Sequence, residues 1–441
     1  MQAVAGPTHR FCERSILRLM HPIASFAVVV IAAAPLAGLG QPATAQPEEH
    51  GPEEHVPIEI DRELDWDAVL SRAVLRFPRY VELEALEHEA AALQRRSRSL
   101  LAGRPALMLG YRSDDPLDNY GLAEYETALT LPLWRFGERG AARRFGARAG
   151  DESTAAAVAL VWEVAGVLRD ALWDIEQAAN DVELATEALG VAENIERIGA
   201  RRHALGDLPL EDTLLAESAV LERQSALVQE RAALVDAEFT YQLLTGLTAR
   251  PPALPETPTT RRDFEDAHPL LSLAAAEVER ARAEHEVTVR SAKGSPTLAI
   301  GPRRQREPSS TFYADSVGVE LSVPVGGGAH TSVTEAASLR RVAAAEAARA
   351  QLERRLHADL HDALHTLETT EVALALVARR AEIAARHRDM GQIAFEQGEI
   401  ALVDLLRRDD AARAAARDAR ALEVQRGRAV AAVNQAIGVL P

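Results

Sequence analysis

Large rings are scarce in this chain: only 4% of its 441 residues are Phe, Trp or Tyr. A compact core of that size ordinarily carries more. The apolar share, 47%, is mostly Ala, Leu and Val, which suits long helices packed close together. Cys12 is the one cysteine and Lys293 the one lysine. A single cysteine excludes an intrachain disulfide and a thiolate metal cage. The formal charge of −17 argues against nucleic acid as a partner. There is no P-loop and no HExxH motif. "GGG" at Gly326 follows an apolar run but lacks the Lys-Ser/Thr that would hold phosphate. No enzyme constellation emerges, and no cofactor is expected. Past the N-terminal leader, no stretch reaches the ~18 apolar residues of a spanning helix, so a membrane could be crossed only by strands.

The leader itself is legible. Arg10, Arg14 and Arg18 precede an apolar run from Ile23 to Leu39, and Ala43-Thr44-Ala45 offers a small-x-small cleavage site. This is the pattern of a secretory signal peptide over residues 1–45. The bland alternative is a single membrane anchor, which the shortness of the run and Pro35 disfavour. Cys12 lies before the apolar run, so cleavage would remove it and leave no cysteine for a lipid. Residues 46–64 are rich in Pro and Glu and read as an extended acidic leader.

The rest is written twice. Pro132 and Pro324 stand 192 residues apart, in "LTLPLWRFGERG" and "LSVPVGGG". "LGDLPLEDTLL" at Leu205 matches "QGEIALVDLLR" at Gln397 at the same offset, as Gly246 matches Gly438. One unit runs over 65–247 and the other over 266–441, joined by a Pro-rich linker at 248–265. Each reads as a helix (65–101; 266–293), two strands (105–113 and 121–133; 295–302 and 312–325), a very long helix (137–198; 329–389), a turn (199–207; 390–399) and a last helix (208–245; 400–437).

The long helices carry a seven-residue seam. Leu168, Ile175, Val182 and Leu189 answer Leu360, Leu367, Leu374 and Ala381, with alanines filling the alternate positions. Some 60 residues at 1.5 Å each make a rod of roughly 90 Å, longer than a compact domain needs.

The strands have two unlike faces. Val317, Val319, Leu321 and Val323 alternate with Gly318, Glu320 and Ser322; Tyr125, Leu129 and Leu131 oppose Glu124, Glu126 and Thr130. An apolar face, a charged face and about ten residues suit a barrel wall between lipid and water; a soluble two-layer sheet is the alternative. Tyr111, Tyr120, Phe312 and Tyr313 fall at one end of the strands, Trp134 and Phe136 at the other, as in an aromatic girdle. Four strands at about 4.8 Å span roughly 19 Å, too little to close a barrel, so the chain must oligomerise.

This organisation resembles the TolC family of outer-membrane efflux channels over nearly the whole chain after the leader. The paired strand-to-helix junctions and the paired turn motifs ending at Asp212 and Asp404 carry the resemblance. It implies a mainly α fold with a membrane β-barrel. A homotrimer would share a twelve-stranded barrel, four strands per chain, continuing into a periplasmic α-helical tunnel. It implies the outer membrane of a Gram-negative bacterium as location. The expected partners are outer-membrane lipid, a periplasmic adaptor protein and an inner-membrane transporter of resistance-nodulation-division type. Strand runs into helix at Pro132 and Gly137, and at Pro324 and Gly326, because one wall passes from lipid into periplasm. Proline ends the ladder.

The resemblance assigns the adaptor-contacting tip to Leu205, Gly206, Asp207, Gln397, Gly398 and Glu399; the alternative is that these glycines serve only folding. Asp212 and Asp404 become candidates for holding the tip closed. The family's tyrosine and arginine partners fall on Phe395 and Ile400, so that ion pair cannot form here. Glu124, Glu126 and Glu320 are expected to line an acidic, cation-selective lumen. His357, His361 and His365 recur every four residues, a spacing that can hold a transition metal but equally suits plain solvent-facing positions. With the "VNQAIGVLP" ending and the missing lipid cysteine, they lean the resemblance toward the heavy-metal cation branch. Two other classes stay open: a periplasmic adaptor, which has one coiled-coil hairpin, and a structural coiled-coil scaffold.

Overall fold

The computed structural model describes residues 57–440 apart from 116–119, 253–255, 260, 262, 265–267 and 309. The signal-peptide reading of 1–45 and the start of the acidic leader lie outside the described residues. Thirteen elements follow in chain order. They are β1 (Glu59–Ile60), α1 (Trp66–Arg76), α2 (Tyr80–Arg98), β2 (Ala106–Ser113), β3 (Ala123–Pro132), α3 (Glu138–Ala204) and α4 (Leu210–Thr245). Then come β4 (Ala249–Arg250), α5 (Pro269–Ser291), β5 (Thr297–Arg306), β6 (Ala314–Ser322), α6 (Gly328–Glu396) and α7 (Leu402–Ala436).

Three differences from the sequence reading have physical causes. The single helix expected over 65–101 is two, because Pro78 forces Phe77 into the extended region (ψ 131°) and ends α1. Strand β5 continues to Arg306 instead of stopping at 302, held by pairing of Arg303–Arg306 with Ala123–Glu126. The linker and leader are not merely extended: Glu59–Ile60 pairs in parallel with Ala249–Arg250.

Strands β2-β3-β5-β6 form one antiparallel sheet in that order. The helices attached to those strands pack in the same order, α2 on α3, α3 on α5, α5 on α6. Farther from the sheet, α4 lies on α3 and α7 lies on both α3 and α6. A Cβ added to Gly438, just past α7, would lie 2.9 Å from Pro269, the first residue of α5, so these two helices abut end to end. Helix α3, at 67 residues, is about 100 Å long. No described helix is long and apolar enough to cross a membrane.

Small residues make this packing possible. Ala165, Ala171, Ala178 and Ala192 are buried along α3 beside Val164, Leu168 and Ile175. A core sits midway along the rod, where Trp66, Val69, Leu70 and Val74 of α1 meet Leu160, Leu168, Leu172 and Tyr241. A buried polar clamp lies nearby. Arg169 donates to Glu256 at 2.7 and 3.2 Å and to the Val439 carbonyl at 3.1 Å, and Asn434 donates to Glu256 at 2.7 Å. It fastens the linker to both repeats.

Candidate functional site

The junctions come first, because they aim everything else. Five residues separate β3 from α3 and β6 from α6. Gly137 (φ 78°), Gly326 (φ 83°) and Gly327 (φ 89°) turn the chain in the left-handed region, where a side chain would be strained. The two proline rings play matching parts: Pro132 packs on Gly103 before β2, and Pro324 packs on Gly294 before β5. Arg135 ties the repeats together, donating to the carbonyls of Gly294, Lys293 (2.8 Å) and Pro324 (2.7 Å). Phe136 is fully exposed.

The sheet register sorts the side chains. Leu107, Leu129, Ile300 and Val319 form one row across all four strands, and Leu131, Leu298 and Leu321 form another on the same face. Leu107 (66%), Leu129, Ile300, Val319 (67%) and Leu321 stand exposed, with Leu131 and Leu298 half-buried. The opposite face carries Arg112, Glu124 and Gln305 in one row, Gly110, Glu126, Arg303 and Ser316 in the next, and Thr130, Ala299 and Glu320 in a third. The three predicted glutamates therefore share the polar face. Two arginines that alternation did not reveal share it too. Glu124 is buried between them, paired with Arg112 at 3.3 Å and with Arg303. Both arginines pair with Glu124, so of the three predicted glutamates it is Glu124 whose charge is offset within the chain.

The two hairpin tips repeat one another. At the first, the Gly206 N–H donates to the His203 carbonyl (2.9 Å) and the Asp207 N–H to Arg202 (2.9 Å). At the second, Gly398 donates to Phe395 (3.0 Å) and Glu399 to Ala394 (2.8 Å). These are helix-ending motifs that need a left-handed residue, and φ is 81° at Gly206 and 80° at Gly398. Leu205, Gly206, Asp207, Gln397, Gly398 and Glu399 are all exposed. Behind them Ile195, Leu208, Ala216, Phe395, Leu402 and Leu405 form one core shared by both hairpins. Arg202 crosses between the tips, donating to the Phe395 carbonyl at 2.6 Å with its guanidinium 4.9 Å above the Phe395 ring.

The closure candidates are placed differently from each other. Among the described residues Asp404 pairs only with Arg407 of its own helix, at 3.7 Å; Asp212 is half-buried on α4. The links between hairpins are others, invisible without the fold. Arg223 reaches Asp410 at 2.6 Å, Arg417 reaches Glu230 at 3.4 Å, and Arg428 reaches Asp174 at 2.8 Å and Asp170 at 3.2 Å. Asp409, buried beside Arg223 and Arg413, has its carboxyl pushed up by burial, against the opposing pull of Arg413, Arg223 and Arg388. The histidine ladder is not brought into a metal site: His357 packs on Phe264 at 4.5 Å while His361 and His365 stack 6.2 Å apart. Among the described residues no cluster of three or more metal-ligating side chains exists.

The chain leaves two unlike sides open. One carries the edge strand β2 and α4, where Leu214, Leu221, Val228 and Val235 are exposed seven residues apart. The other carries β6 and α6, with Leu376, Ile383 and Met390 exposed at the same spacing.

No protein-family model matches the sequence, and no curated protein matches it. Solved structures do. The outer membrane protein VceC of Vibrio cholerae aligns with a TM-score of 0.69 at 14% identity, covering 84% of this chain and 95% of that one. CusC, whose structures describe transmembrane channel formation, aligns at 0.65 and 14% identity over 91% of this chain and 99% of its own. The Campylobacter jejuni outer membrane channel CmeC aligns at 0.64 and 12% identity, covering 93% and 94%. At such identities the likeness is one of fold.

Proposed function

We propose that this chain is a TolC-family outer-membrane exit duct of a tripartite efflux pump, passively conducting substrates delivered by an inner-membrane transporter and a periplasmic adaptor. The observation that carries the reading is the sheet: one face apolar and exposed, the other polar, both edges unpartnered, and every strand continued by a helix in the same order. A homotrimer supplies twelve strands and gives every edge a neighbour. The apolar face meets lipid, the polar face lines the pore, and the helices extend the wall into the periplasm. Two hairpins joined to one four-stranded sheet count against a one-hairpin adaptor or a bare scaffold.

The six exposed tip residues form the adaptor-docking ring, and metal cations are the cargo class that the C-terminal resemblance favours. Fractionation tests the membrane reading: the protein should leave the membrane only with detergent and weigh three chains. A water-soluble monomer overturns it. The docking role is tested by Gly206→Trp with Gly398→Trp. A Cβ at Gly206 meets nothing within 4 Å, and one at Gly398 meets only the end of Arg202. A side chain can therefore leave the backbone at both sites, at about 1–2 kcal/mol of left-handed strain per site. The double variant should remain trimeric in the membrane and lose efflux; wild-type resistance from a trimeric variant removes the docking role. A deletion strain challenged with metals and then drugs identifies the cargo.

A further inference from the structure

The apolar face of the sheet changes character at its loop end. From the row Leu131, Leu298, Leu321 to the row Tyr111, Tyr125, Arg304, Asp315 is six residues along the strand, about 20 Å. Among the described residues, Arg304, Arg306 and Asp315 are the only charged strand positions on that face. They are gathered with three tyrosines. The rings of Tyr111 and Tyr125 lie 5.0 Å apart, tilted by 38°. Arg304 and Arg306 both lie over Tyr313, at 4.9 and 5.3 Å from its ring centre. Arg306 is held by a 2.8 Å bond from Nε to the Gly121 carbonyl. The Arg304 side chain makes no hydrogen bond among the described residues. Its one ion pair, to Asp315, is long at 3.6 Å, with the Arg304 side chain 60% exposed.

Two cations oriented by one ring, against one loosely held carboxylate, leave a net positive charge at the strand positions of this face. A guanidinium at the edge of hydrocarbon needs a counter-anion, and its planar fork matches phosphate oxygens in pairs. Tyrosines beside it belong at the level of lipid headgroups. The orientation settles which headgroups. Helices of about 100 Å leave the opposite end of the sheet, so the loop end faces outward, and the outward leaflet of such a membrane is built of phosphorylated glycolipid. We propose that Arg304 and Arg306, braced on Tyr313, bind a phosphate group of the outer-leaflet glycolipid and lock the barrel to it. The inference rests on the membrane reading above.

The test uses the full-length protein purified in detergent, with binding of added lipid followed by native mass spectrometry. The probes are diphosphoryl lipid A, dephosphorylated lipid A and phosphatidylglycerol. Wild-type protein should retain diphosphoryl lipid A at least tenfold better than either other lipid. Arg304→Gln with Arg306→Gln should lose that preference, and Arg304→Lys with Arg306→Lys should keep part of it. Equal retention of dephosphorylated lipid A or of phosphatidylglycerol by the wild type overturns the site, whatever the variants do. So does undiminished preference in the glutamine variant. A protein soluble without detergent instead overturns the membrane reading itself.

Discussion

Gly301 is where the smallest possible side chain should do the most damage. It lies in β5 beside a gap in the ladder to β3: Glu126 pairs with Arg303 and Leu129 with Ile300, and nothing pairs between them. Pro302, which has no N–H to donate, occupies the gap. The backbones have closed in. A Cβ at Gly301 would overlap the Thr127 carbonyl oxygen and stand 2.7 Å from the Ala128 Cα, where carbon atoms prefer about 3.5–4.0 Å. The obstacle is main chain of a central strand, so no rotamer change relieves it, and β3 and β5 must part by about 1 Å. Overpacking of this kind costs about 1–3 kcal/mol, and a rigid obstacle puts Gly301→Ala at the upper end. Two glycines on the same face serve as controls. At Gly318 the nearest atom to a new Cβ is 3.9 Å away, and at Gly110 it is 3.6 Å. Both alanine variants should stay within about 0.5 kcal/mol of wild type. All three share the entropy gained by removing a glycine from the unfolded chain, so their difference isolates packing. Thermal unfolding in detergent, read by circular dichroism, and the oligomer band on unheated gels provide the assay. A Tm for Gly301→Ala equal to that of Gly318→Ala refutes the close approach.

Arg169→Ala should destabilise by about 3–5 kcal/mol, because among the described residues it leaves Glu256 buried with only Asn434 for a partner; a loss under about 1 kcal/mol would show the clamp to be idle. His268 caps α5 by accepting the Leu270 N–H at Nδ1 (3.2 Å), and burial lowers its pKa. The unfolded chain therefore takes up this proton first, so its contribution to stability is complete above about pH 6.5 and shrinks as pH falls below that value. His268→Asn should keep the cap and flatten the fall of Tm between pH 7 and 5, and an unchanged slope contradicts this. Arg112→Gln with Arg303→Gln removes the two cations beside Glu124 and should raise the cation-to-anion permeability ratio of reconstituted channels. No change in reversal potential would place these side chains off the conduction path.

What the sequence revealed was local or periodic. The offset of 192 residues located both tip glycines, because a glycine interrupting a heptad pattern twice marks a turn. Alternation alone put Glu124, Glu126 and Glu320 on one face. What it hid depended on register. "PRRQR" after Gly301 ends the apolar alternation and breaks a strand pattern with proline, so nothing local shows that β5 runs to Arg306. Only pairing with Ala123–Glu126 brings Arg303 to Glu124 and sets Arg304 beside Tyr125. The contact of Arg202 with Phe395 likewise joins residues from opposite halves of the chain, and only the meeting of the tips creates it. The break at Pro78 is a different case: the signal was in the sequence, and amphipathic spacing on both sides masked it.

The open sides also constrain assembly. A two-fold dimer joins like to like: pairing β2 with β2 would leave β6 and the α6 seam of Leu376, Ile383 and Met390 bare in both copies. Pairing β6 with β6 would do the same to β2 and the α4 seam. Unlike sides are satisfied only head to tail, and a head-to-tail contact either closes into a ring or grows without end. In this chain strand and helix leave by the same side, so in the proposed trimer one rotation closes the sheet and the helical wall together. A ring of β2 against β6 is then also a ring of α4 against α6. Weakening the helical seam by Leu221→Glu with Val228→Glu should therefore release the sheet edges as well, and the protein should leave the membrane as aggregating monomers. A closed barrel surviving on strand contacts alone would show that the two walls close independently.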